Sequence, residues 1–174
     1  MYQRLVVPLD GSDIAERSLV EAEKMAALTH APIHLVRVID FNGPESFAAY
    51  GMMANPSTVT YLLADEVESA SEYLESVARR ITDQGHHVTS EVRRGMASNE
   101  LIAASKPGDL YVIASHGRSG IARWFMGSVA EEVVRRSSVP VLLIKAASYS
   151  GTQSGRSLAG AVTGAPPTEA ALSR

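Results

Sequence analysis

Cysteine is absent from this chain of 174 residues, which excludes disulfides, thiolate zinc sites and thiol nucleophiles and suits a reducing cytoplasm. Positive charge is not in excess either. Sixteen basic residues face nineteen acidic ones, a net charge of −3, so no general electrostatic attraction draws the chain to nucleic acid or to an anionic membrane. No apolar run has the length of a membrane span, and the N-terminal one, "RLVVPL", is broken at Pro8 and Asp10, too early for a signal-peptide core. The histidines show no metal-ligand spacing with carboxylates. Two nucleotide fingerprints are missing as well: G-x-x-x-x-G-K-[ST] does not follow the first apolar run, and G-x-G-x-x-G does not open the segment after it. What remains is a soluble, cytoplasmic protein, expected to hold one main domain.

The chain alternates between two periodicities. "RLVVPL" (4–9) reads as a buried strand that ends in the turn "DGS", and Ala15, Leu19, Ala22 and Ala26 then recur at helical spacing. Asp13 with Glu16 has the spacing of a capping box. "PIHLVRVID" (32–40) is a second strand, and "FNGPESFAAYGMMANPST" is a connection long enough to suggest a lid or a contact surface over 42–56. From Ser57 the positions Leu63, Val67, Ala70, Leu74, Val77 and Ile81 keep a helical rhythm up to Gly85. Asp65, Glu66, Glu68, Glu72 and Glu75 form its solvated side. "HHVTSEVRRG" is a strand, "ASNELIAAS" a short helix, "DLYVIAS" a buried strand, "SVAEEVVRRSS" a helix and "VPVLLIKA" a last strand.

Strict alternation of strand and helix predicts an α/β fold, a doubly wound, Rossmann-like, five-stranded parallel sheet with helices on both faces. The domain is expected to span 1–146. Residues 147–174 are rich in Ser, Gly, Ala, Thr and Pro, too poor in large apolar groups to offset the entropy of ordering, and are expected to form a disordered tail.

Open parallel sheets bind ligands beyond the carboxyl ends of their strands, where neighbouring crossovers diverge. Two loops have the chemistry for that place: "PLDGSD" after strand one and "SHGRSG" after strand four. They meet if the strand order is 3-2-1-4-5. The glycines of "GRSG" let backbone amides approach a ligand, while Ser115, Ser119 and Ser128 add hydroxyl donors and Arg118 a positive charge, a surface suited to phosphate. Ser128 with Glu131 is a second capping-box spacing, so the last helix is expected to begin at "GS", where its dipole favours an anion. Gly127 and Ser128 serve equally well as a plain turn and cap. Arg123 reads as a solvated loop arginine or a surface contact, and Arg135 and Arg136 complement the C-terminal end of the helix dipole. Trp124, Phe125 and Met126 read as packing groups.

"VPLDGSDIAERSL" and "ASHGRSGIARWFMGSVAEEVVRRSSVPVLLIK", with the spacing between them, resemble a universal stress protein domain over residues 1–146. ATP-binding members of that family carry G-x-x-G, nine residues, then G-[ST]. Here Ala114 stands at the first glycine, Gly117 at the second and Gly127-Ser128 at the last pair. The resemblance implies an ATP site, with Mg²⁺ carried on the nucleotide. Pro8, Leu9, Asp10, Gly11 and Ser12 would face the adenosine, and Val38 would meet the adenine with its backbone. Gly117, Gly120, Gly127, Ser128 and Val129 would surround the phosphates, and Ala114, Ser115, His116, Arg118 and Ser119 complete the expected binding set. It also implies a homodimer paired through the last strand, Val139 to Lys145, which would cover an apolar edge. His116 has no evident orienting partner, and no P-loop lysine is present, so a regulatory ATP-binding protein is expected and not an enzyme. The rivals are a slow ATP hydrolase using the same site and a dimeric interaction module in which Ala114 has closed the site.

Overall fold

The computed structural model of the protein describes residues 1–40, 55–116 and 127–146. The 42–56 connection up to residue 54, Gly117, Arg118, Ser119 and Gly120 with Arg123 and Trp124–Met126, and the 147–174 segment lie outside the described residues.

Strands β1 (Arg4–Pro8), β2 (Ile33–Ile39), β3 (Val88–Arg94), β4 (Asp109–His116) and β5 (Val141–Ala146) form one parallel sheet in the order β3-β2-β1-β4-β5, as the alternation and loop chemistry predict. Helices α1 (Asp13–Thr29), α2 (Pro56–Thr82), α3 (Ala97–Ala104) and α4 (Ser128–Arg136) lie between them. The last strand opens at Val141 and not at Val139, because the Ser137 hydroxyl accepts from Val139 N at 3.1 Å and donates to Val139 O at 3.0 Å, holding that residue in a turn.

Central β1 is buried on both faces: Leu5, Val6 and Val7 expose nothing. Leu5, Val7, Leu35 and Val112 pack against Leu19, Ala22 and Ala26 of α1 and Leu74, Val77 and Ile81 of α2. Val6, Val36, Tyr111 and Ile113 pack on the other face against Leu101 and Ala104 of α3 and Ala130 and Val133 of α4. The first face is therefore covered by two long helices and the second by helices of only eight and nine residues. The chain changes faces between β1 and β4, which places the switch point at their carboxyl ends.

At the amino edge, the Arg4 guanidinium donates to both oxygens of Asp109, at 3.1 and 2.6 Å, and to Ala104 O at 2.9 Å, while Lys106 N donates to Asp109 Oδ2 at 2.8 Å. Hydrogen bonding to Asp109 raises the already high pKa of Arg4. Beside this pair on β2 lies the buried His34, whose Nδ1 is 2.8 Å from Thr89 Oγ1. Its Nε2 is 3.3 Å from Glu91 Oε1 but out of line for a hydrogen bond. Burial lowers the His34 pKa. Burial alone would push the Glu91 carboxyl up, but the His34 ring and Arg93 outweigh it and hold the carboxyl below the usual glutamate range.

Candidate functional site

Because each helix follows a strand, α1, α3 and α4 all begin at the carboxyl edge, and their first turns surround a cavity of about 240 Å³. Its floor is Pro8, Leu9 and Asp10 from the end of β1 and Ile113 and Ala114 from β4. Ala97 and Leu101 of α3 form one wall, Gly127, Ser128, Val129, Ala130 and Val133 the opposite one, and Ala15 of α1 closes a corner. The walls are mostly apolar with few polar groups, the composition of a small-molecule site.

The three helix starts differ in what satisfies their free amides. At α1 the cap is Ser12, whose hydroxyl accepts from Ala15 N at 3.1 Å, and Asp10 Oδ1 accepts from Ser12 N at 2.9 Å. Asp13 is thus the first residue inside the helix and not the capping member of a box with Glu16. A capping residue keeps extended backbone, which Ser12 has and a helical Asp13 does not. At α3 the capping position is Met96, which offers no oxygen, and Asp40 from the end of β2 accepts from Ala97 N at 3.3 Å instead. At α4 the capping residue is Gly127, not Ser128, so the expected box of Ser128 with Glu131 does not form. Glycine has no side chain to offer, and no side-chain oxygen of a described residue caps this helix. The start of α4, with the positive end of its dipole, thus faces the cavity uncapped by any side chain of the described residues.

Of the residues expected at the site, the cavity wall brings together Pro8, Leu9, Asp10, Ala114, Gly127, Ser128 and Val129. Gly11 and Ser12 belong to the same turn but look away: Gly11 adopts φ +87° against Arg37, and Ser12 commits its hydroxyl to α1. Val38 is on the cavity's face of the sheet, packed with Val36, but does not line the cavity. Ser115 is buried and donates its hydroxyl to Ile144 O of β5 at 3.4 Å, which directs it away from the cavity. His116 ends β4, and Gly117, Arg118, Ser119 and Gly120 fall outside the described residues.

Ala114 lies in extended β4 backbone in register with Ile144. Among the described residues only His30 combines a side chain with positive φ, so the Ala114 methyl adds wall without backbone strain. Ala97 and Leu101 were not expected from the sequence. The signal was available, since in strict alternation the start of α3 must share an edge with those of α1 and α4. The segment "GMASNE", however, shows no phosphate chemistry.

Five parallel strands in this order with a cavity at the switch point define a doubly wound α/β fold. Residues 1–145 match the universal stress protein family, and the chain belongs to it. Universal stress protein MJ0531 of Methanocaldococcus jannaschii is 29% identical over 147 residues, 83% of each chain. The solved structure of MJ0577 from the same organism superposes with a TM-score of 0.66 at 25% identity, covering 83% of this chain and 96% of that one. The universal stress protein of Archaeoglobus fulgidus in complex with dAMP gives a TM-score of 0.55 at 21% identity, covering 83% and 98%.

Proposed function

We propose that the cavity is an adenine-nucleotide site and that ATP occupancy is the signal this protein carries. The observation that bears most weight is that no side chain of the described residues caps the start of α4, which lines the same cavity as Asp10. Phosphate oxygens would be held by the amides of Ser128, Val129 and Ala130, strengthened by the helix dipole. Pro8, Leu9 and the small apolar walls at Ala97 and Leu101 suit a base and its sugar, and the second Asp10 oxygen, which no described residue is seen to bond, would accept from a ribose hydroxyl. The dAMP complex of the Archaeoglobus relative supports the same class of ligand. Among the described residues no cluster of His, Cys, Asp or Glu can hold a metal, so Mg²⁺ would arrive on the phosphates.

Among the described residues Asp10 is the one acidic group in the cavity wall, and its Oδ1 accepts from Ser12 N. That arrangement favours a sensor over a catalyst: the role is regulation in a stress response, with hydrolysis at most slow. The unit is 1–146, with 147–174 as an appendage, and it acts in the cytoplasm as a homodimer. β5 is an edge strand whose Leu142, Leu143 and Ile144 are only partly buried, and pairing with a second copy would cover them.

Calorimetric titration of ATP with Mg²⁺ tests the reading, after a check for nucleotide carried through purification. Saturable one-site binding supports it. Absence of binding, with no nucleotide carried through, overturns it in favour of an interaction module.

A further inference from the structure

On the face of the sheet opposite the cavity, the Arg37 guanidinium of β2 lies over the Tyr73 ring of α2, 5.2 Å from its centroid. It lies beside the turn after β1: its Nη1 is 3.4 Å from where a Cβ would stand on Gly11. Gly11 has no side chain to keep the cation off, and its φ of +87° gives the turn its left-handed step. No carboxylate of a described residue is seen to pair with Arg37, whereas Arg4, Arg79, Arg80, Arg93, Arg135 and Arg136 all have one.

Tyr73 is itself fixed. Its hydroxyl donates to Glu16 Oε1 at 3.0 Å, and Arg80 donates to Glu16 Oε2, also at 3.0 Å. Burial first, then Glu16, raise the phenol's pKa, and the charges of Arg37 and Asp10 both reach it. A chain of neighbours therefore runs from α2 through Glu16, Tyr73 and Arg37 to the open side of Gly11, where a side chain would stand.

We infer that Arg37 is a positioning residue: braced on Tyr73, its guanidinium holds the Asp10–Ser12 turn in the shape that turns Asp10 into the cavity. A lysine ammonium can replace the charge but not the broad guanidinium that lies over the Tyr73 ring and reaches the open side of Gly11. The consequence for ligand recognition rests on the nucleotide reading above. Arg37 does not touch the ligand, so its loss acts only on the part of the ligand that Asp10 meets.

Two readouts test this, one of them free of ligand. In the unliganded protein, Arg37→Met and Arg37→Lys raise amide exchange of Ser12, whose N–H is held by Asp10, by about tenfold while β1 and β4 keep their protection. In binding, both variants weaken ATP by about tenfold, as Asp10→Asn does, and leave inorganic tripolyphosphate unchanged. Tyr73→Leu, which removes the brace, reproduces both effects. Wild-type exchange at Ser12 in Arg37→Met overturns the inference whether or not ATP binds. Equal loss of ATP and tripolyphosphate also overturns it, by showing that Arg37 acts on the phosphates. A wild-type protein that binds no ATP overturns the nucleotide reading alone, and the exchange result still decides the role of Arg37.

Discussion

The two edges of one sheet treat their polar groups in opposite ways. At the amino edge the buried Asp109, 2% exposed, receives the Arg4 guanidinium and the Lys106 amide, and Arg4 also closes on Ala104 O. At the carboxyl edge no side chain of the described residues caps the start of α4, and Asp10 Oδ1 accepts from Ser12 N. The same chain that satisfies charges at one end leaves donors and an acceptor facing a cavity at the other. Polar groups left open in a concave site mark where a ligand is expected, and closed ones mark structure.

That contrast breaks if stability and binding respond together to changes at either edge. Arg4→Leu, which strands the Asp109 carboxylate beneath α3, should cost about 3 kcal/mol in urea unfolding, with ATP affinity within about twofold of wild type. Ser128→Asp sharpens the contrast from the other side. A carboxylate in the first turn of α4 suits the dipole and should leave the melting temperature equal or slightly higher, yet weaken ATP at least about tenfold in calorimetry by occupying the place of a phosphate. Ser12→Ala removes the cap of α1 and should cost about 1 kcal/mol with little change in binding, because that helix start is already satisfied from within.

The smallest effect belongs to His34. Thr89, Glu91, Arg4 and Asp109 surround it, and burial holds its folded-state pKa below the ordinary 6.5. The unfolded chain therefore takes up a proton first as pH falls. The contribution is fully present above about pH 6.5 and is lost progressively below it, down to the folded pKa. Denaturation midpoints between pH 7 and 5 should fall more steeply for the wild type than for His34→Gln, and parallel slopes would remove His34 from the account.

Much of this was legible in the sequence. Alternation between helical spacing and buried apolar runs gave every described element, and two unusual loops after strands one and four gave the order of the sheet. The helix caps were misplaced by one residue at Asp13 and Ser128, because the box spacing is read from residue types whereas the cap is decided by backbone angles. That single-residue difference matters chemically: it moves Ser128 inside the helix and leaves Gly127 with nothing to offer. The contribution of Asp40 to α3 and the placing of the Arg37 cation over Tyr73 join residues distant in sequence and show no local pattern. Ala97 and Leu101 went unseen for a different reason, since apolar walls have no motif.

The central claim is that the open carboxyl edge, and not the closed amino edge, receives an adenine nucleotide. The most direct measurement is an amide-resolved NMR titration with ATP and Mg²⁺. The account predicts saturable shifts at Asp10, Ala97 and Ser128 to Ala130, with Arg4, Thr89 and Asp109 unmoved. Shifts centred on the amino edge, or none anywhere at saturating nucleotide, would contradict it.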